Sequence, residues 1–370
     1  MKDGRARSVS WMAAAVLLSL ATARVSPGFS SGPAPDPLVA EIERWSAFLR
    51  SDAASHGVWA GLKRGNQPLL ARAAQDLAQG RRLLALHRLT MAEVGLAAGA
   101  YLSARPADQH QDIARFEAEW ARMGKALRGD LGPPSPAALA GVQPAALRAL
   151  GEAAIPQVRA YYVASLEYGR STTPGDGLFY LATAQAQRDL VELCRRLSTP
   201  ASLKPPSLRS LRAEIDGLQS DLIKAYKPPA SIDRHGDFIS ADAALKEARE
   251  LDTAGLRYGA MLRYLDAALL VAPLRQPAPP QLAPAALRKR LDEFAARLST
   301  GGIDHSLGRM MLEGAQDEVA SAAPGTSPAA STAIATDVLP RYFAALAPAR
   351  PEPPKPKPQV IVTLVRWPYT

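Results

Sequence analysis

Cysteine is almost missing: Cys194 stands alone in 370 residues. No intrachain disulfide can form. Cys194 falls in an amphipathic run, 190–197, with no histidine close in sequence. A buried, inert thiol is therefore expected rather than a nucleophile. Also missing beyond residue 23 are Gly-x-Gly-x-x-Gly, Walker, Ser-x-x-Lys and Cys-x-x-Cys-His motifs. That removes the announced forms of nucleotide and covalent-haem chemistry. Beyond residue 23 every apolar stretch is broken by charges at helical spacing, so no membrane span is expected there.

The N-terminus has what the remainder lacks. Lys2, Arg5 and Arg7 precede a short apolar run, 11–20, followed by Ala21, Thr22 and Ala23. This is the pattern of an export signal, with cleavage expected after Ala23. The run is too short to cross a hydrocarbon core, and neither a twin-arginine pair nor a lipoprotein cysteine is present. A periplasmic or extracellular protein is expected, its formal charge falling from +9 to +7 with the signal removed. The basic residues are dispersed in pairs such as Arg81 and Arg82 or Arg195 and Arg196. A nucleic-acid platform gathers its charge into a patch, so solvated helix faces are the expectation and no specific nucleic acid is implied.

With 47% hydrophobic residues the chain can build a genuine core. Apolar positions three and four apart predict helices over 38–49, 68–79, 81–104, 108–127, 144–169, 178–197, 208–226, 285–298, 307–320 and 333–346. Ser240 reads as an N-cap opening one proline-free helix over 241–272. Residues 174–177 read as a turn and 233–237 as a loop. The class is all-α, with antiparallel helical hairpins packed as a bundle or as a degenerate α-solenoid. The expected organisation is a signal (1–23), a linker (24–36), helical units over 37–132, 143–272 and 284–347, a proline-rich linker (348–359) and an extended tail (360–370). In that tail Val360, Ile361 and Val362 begin a run of strand-formers.

Leu251, Gly255, Tyr258, Ala260, Tyr264, Ala267 and Pro273 are residue types of a tetratricopeptide helix pair. Their spacing is not, because Ala260 follows Tyr258 with no room for the turn. The architecture is tetratricopeptide-like at most, and no family is assigned. The stretch 70–102, with Gly80 at its turn, reads as another helix pair that does not align with the later ones.

For chemistry, Asp108, His110 and Asp112 match Asp233, His235 and Asp237 in pattern. On a helix the first trio would diverge, leaving Asp233, His235 and Asp237 as the weak metal candidate in a reading that otherwise implies no metal and no cofactor. Glu119, Glu152, Glu167 and Glu293 are the carboxylates with apolar neighbours that an envelope hydrolase or lyase would draw on. Tyr161, Tyr168, Tyr180 and Tyr258 are where a partner site is expected if the helices curve. Ile361, Leu364 and Trp367 of the tail form a second candidate surface, for docking on the chain's own helices or on a partner's sheet edge. The sequence reading is a non-enzymatic binding or scaffold protein of the cell envelope with another envelope protein as partner; a carboxylate enzyme or a basic module holding anionic polymer is the alternative.

Overall fold

Apolar spacing decides the helices. A computed structural model describes residues 36–51, 59–105, 107–200, 202–228, 232–275, 282–323 and 325–346. From Asp36 onward these form one compact unit. The helices are α1 (Pro37–Arg50), α2 (Trp59–Ala78), α3 (Arg82–Ser103), α4 (Ile113–Ala126), α5 (Ala145–Ser171), α6 (Pro174–Leu197), α7 (Arg212–Ala225), α8 (His235–Thr253), α9 (Arg257–Val271), α10 (Pro284–Leu298), α11 (Ser306–Ser321), α12 (Ala329–Ala333) and α13 (Leu339–Leu346). A π-turn, Ile334–Val338, joins the last two. The protein is all-α: among the described residues the only extended pairing is an isolated bridge between Lys204 and Ile303. None of these helices is long and apolar enough to cross a membrane.

α5 and α6 form the central antiparallel pair. α3 packs on α6 and α9 packs on α5, with α2 and α8 outside them, so six helices lie side by side in the order α2, α3, α6, α5, α9, α8. α1 covers α2, α3 and α6, while α11 rests against α5 and α3. The main core runs through all of these, and a smaller one around Phe116, Met123, Leu127 and Tyr162 fixes α4 to the far end of the α5–α6 pair. Cys194 is fully buried within the main core, and burial pushes its thiol up to about 12.

Four expectations about local structure are corrected. The helix expected over 241–272 is two helices, because Gly255 turns left-handed (φ +79°) and Leu256 N–H closes back on the Leu251 carbonyl at 2.9 Å. This is a Schellman stop. Ser240 accordingly sits inside α8, its hydroxyl bonded to the Gly236 carbonyl. Residues 174–177 are the first turn of α6, because the Thr173 hydroxyl caps Asp176 N–H at 3.1 Å and Pro174 needs no donor there. The helix expected over 108–127 begins later: 107–111 is a 3-10 turn and Asp112 caps α4 through the N–H groups of Ala114 and Arg115. Residues 233–237 are no open loop, since Ile232–Arg234 is a 3-10 turn that runs straight into α8 at His235. Pro68, the first residue of the expected helix 68–79, lies inside α2, and Pro156, inside the expected helix 144–169, lies inside α5.

Three buried acids hold the helices to one another. Glu152, midway along α5, accepts the N–H groups of Tyr258 (2.9 Å) and Gly259 (3.0 Å) at the start of α9, and Arg148 Nε at 2.7 Å. A Cβ on Gly259 would lie 2.8 Å from Ala153 N, so only glycine permits this approach of α9 to α5. Asp252, at the end of α8, accepts Leu211 N–H and the Ser210 hydroxyl at the start of α7. Asp304 accepts Ala145 N–H at the start of α5 and Ser306 N–H at the start of α11. Each carboxylate supplies acceptors that the first turn of a helix lacks, at the positive end of its dipole.

Candidate functional site

The two outer helix pairs are equivalent. With an offset of 175 residues, 66–96 and 241–271 share Leu70 with Leu245, Ala73 with Ala248, Gly80 with Gly255, Arg82 with Arg257, Ala85 with Ala260, Arg88 with Arg263 and Ala92 with Ala267. The four leucine and alanine pairs are buried in both copies. The turns match bond for bond: Arg81 N–H reaches Asp76 O at 2.8 Å as Leu256 reaches Leu251 O, and Gly80 has φ +77°. The 70–102 pair therefore does align with a later one, by its buried positions rather than its surface.

These equivalent pairs face each other over the α5–α6 pair and leave a groove of about 480 Å³ between them. His87, Met91 and Val94 of α3 line one wall. Their counterparts in the alignment, Leu262, Asp266 and Leu269 of α9, line the other, with Arg263 and Leu270 beside them. Ala153, Ala154, Gln157 and Tyr161 of α5 with Gln187 and Leu190 of α6 make the floor, and Glu247 of α8 completes the rim. The groove is mostly apolar with a few convergent polar groups, the usual make-up of a ligand site.

Its electrostatics are asymmetric. Arg263 pairs with Glu247 at 2.9 Å and with Asp266 at 3.3 Å. Burial raises the Glu247 carboxyl above its ordinary range against the pull of Arg263. Burial also lowers His87, so the imidazole is neutral at physiological pH. With both acids ionised the groove carries one negative charge in excess.

An aromatic stack leads into it. Tyr168 (43% exposed) stacks on Tyr180 with centroids 4.5 Å apart, and Tyr180 stacks on Tyr161 at 6.1 Å. Desolvation raises the Tyr161 hydroxyl, so it enters the groove as a neutral donor and acceptor. Three of the four tyrosines expected at a partner site are thus brought together. Tyr258 is not among them: it is buried, bonded through its hydroxyl to the Pro206 carbonyl at 2.8 Å and covered by Arg148. Ile361, Leu364 and Trp367 lie outside the described residues, as do 1–35.

The other sequence candidates go elsewhere. His235 Nδ1 meets the Tyr226 hydroxyl at 2.8 Å and Asp237 pairs with Arg234 at 3.0 Å. Asp233, His235 and Asp237 do not converge, and among the described residues no group of three His, Cys, Asp or Glu side chains is placed to hold a metal ion. Glu119 bonds Arg122, Tyr101 and Arg105, the first of these chiefly holding it at about 2. Glu152 is the α9 cap, Glu293 an exposed partner of Arg290, and Glu167 lies at a separate cleft on the outer face of α5. Sequence reasoning missed Glu247, Arg263, Asp266 and His87, which come from three helices and carry no motif spacing. No protein-family model, no curated protein and no solved structure matches this chain, so what its groove takes is to be read from these residues alone.

Proposed function

We propose that the chain is an exported, non-enzymatic binding protein of the bacterial cell envelope, a scaffold of helical hairpins whose central groove and tyrosine stack receive a partner protein. The supporting observation is that Tyr161 belongs to both the stack and the groove, making one continuous surface from the exposed ring of Tyr168 to Glu247 and Asp266. Tyrosine-rich, part-apolar surfaces with polar margins are those that carry protein recognition. A photo-reactive residue at Tyr168 should yield an envelope-protein adduct that the same residue at Ile223, exposed on α7, does not. Tyr161→Ala with Tyr180→Ala should remove the adduct while the helical circular dichroism is unchanged. Adducts equal at both positions would sink the reading.

The second reading, a carboxylate-dependent hydrolase or lyase, is favoured by one observation: burial raises Glu247 in a groove that also holds Asp266. It predicts turnover of cell-wall fragments that Glu247→Gln abolishes. No turnover by the unaltered protein ends it.

A further inference from the structure

We propose that the groove receives one turn of a partner's amphipathic helix, with apolar side chains against α3 and one lysine or arginine beside Glu247 and Asp266. This rests on the groove being the partner site and adds what the partner must present. The two walls differ in chemistry. On α3 the lining includes Met91 and Val94, and Met91 is 59% exposed, a soft side chain that adapts to what it meets. Across the groove, α8 and α9 present Glu247 and Asp266, with Arg263 paired to both. A segment that fills this space needs one apolar flank and one polar flank, which is the pattern of an amphipathic helix. Size agrees with a single turn. A helix about 10–12 Å wide and rising about 5.4 Å per turn fills roughly 400–600 Å³ per turn. The groove is about 480 Å³.

The sign of the charge follows from how loosely the acids are held. Arg263 is the one arginine or lysine among the lining residues, and His87 is neutral. Arg263 Nε stands 2.9 Å from Glu247 without an aligned hydrogen bond, and its Nη1 reaches Asp266 only at 3.3 Å. Gln157 also bonds Glu247, while Glu250 adds to the negative field there. Two carboxylates offer more lone pairs than these contacts use. An ammonium or guanidinium brought beside Glu247 takes up the remainder and offsets the burial that raises its carboxyl. An acidic side chain in the same place would meet two like charges.

Helical peptides added to the full chain test this. Three labelled peptides of about 15 residues, long enough to hold a helix, share a leucine stripe and differ at one position beside it: lysine, norleucine or glutamate. By fluorescence anisotropy the lysine peptide should bind on the order of tenfold more tightly than the norleucine peptide, and the glutamate peptide more weakly than either. Glu247→Gln with Asp266→Asn should abolish the lysine advantage and leave the norleucine peptide bound; Asp266→Asn alone should remove part of it. Met91→Lys should weaken the lysine and norleucine peptides, where Ile223→Lys on α7 changes nothing. Equal binding of the lysine and norleucine peptides, or a preference for glutamate, overturns the proposal. So does a dimer of the chain that no peptide displaces, which would seat a second copy in the groove. Failure of all three peptides with the Tyr168 photo-adduct intact removes the helix alone. Failure of both removes the groove as a binding site.

Discussion

Glu93 is the side chain most at odds with its surroundings. It is buried on α3, where the equivalent residue of α9 is Ala268, and its Oε2 has no hydrogen-bond partner among the described residues. Desolvation, reinforced by Glu41 and Asp189, pushes its carboxyl up to about 8. The folded state therefore keeps a proton that the unfolded chain gives up near the ordinary value. Stability is fully present below about pH 4.5 and falls as pH rises through about 8, by about 1.4 kcal/mol per pH unit within that window. Glu93→Gln should flatten the decline, measured by urea unfolding at a series of pH values. If the two proteins lose stability in parallel, Glu93 is not the group responsible.

Glu152 is the opposite case, a buried acid with every bond used. Glu152→Ala strands two N–H groups and Arg148, and should cost about 3 kcal/mol. Glu152→Gln keeps one acceptor and should cost less. Denaturant midpoints with an unchanged slope would check both, and a cost under 0.5 kcal/mol for alanine would show that water replaces the cap.

Among elements, the left-handed glycines that end α2 and α8 make a matched experiment. Gly80 and Gly255 have nearly the same φ and the same stop, so alanine at either carries a similar backbone penalty of about 1–2 kcal/mol. A Cβ at Gly80 meets nothing within 4 Å, whereas at Gly255 it would come to 3.1 Å from Pro136. Gly255→Ala should therefore lower the melting temperature more than Gly80→Ala. The reverse order would mean that the pairs are not equivalent in energy.

How much of this was legible follows from the same elements. α1 and α10 were readable because their large apolar residues, Leu38, Ile42, Trp45 and Leu49 or Leu287, Leu291, Phe294 and Leu298, recur at three and four residues and nothing contradicts them. The α8–α9 break was not, because the apolar stripe Leu245, Leu251, Tyr258, Leu262 continues in phase through the turn and only Gly255 interrupts it. Thr173 was legible as a cap only once the helix beyond it was known. The kinship of α2–α3 with α8–α9 escaped because charges took over one copy. Where α8 has Leu251, α2 has Asp76, buried against Arg81 and Arg88, two arginines that Asp317 of α11 also binds. The groove was illegible as a site, since five helices build it and only Tyr161 had been singled out from sequence.

For the whole molecule, the groove is set by which helices meet, so its walls respond to contacts far from it. Asp317 links α11 to Arg81 (2.8 Å) and Arg88 (2.6 Å) on the pair that forms the α3 wall. Asp317→Ala leaves Asp76 with both arginines and no counterpart on α11. It should cost about 2–3 kcal/mol and loosen the α3 wall, read as faster hydrogen exchange at 87–94 than at 262–269. Uniform exchange across both walls would mean that α11 does not control the groove.

The long-range acid caps bear on the order in which the chain can fold. α5 is the centre of the molecule, yet the carboxylate that finishes its first turn, Asp304, is made 159 residues after Ala145. Glu152 in its turn waits for the start of α9, since Tyr258 is made 106 residues after it. Contacts this distant are late events, because loop closure must come before they contribute. A growing chain that has not reached residue 304 carries its central helix unfinished, and it remains open to proteases and to any machinery that handles unfolded polypeptide. Nested truncations ending before and after 304 should show protease resistance of 145–171 appearing abruptly once Asp304 is included, and the step should vanish in Asp304→Ala.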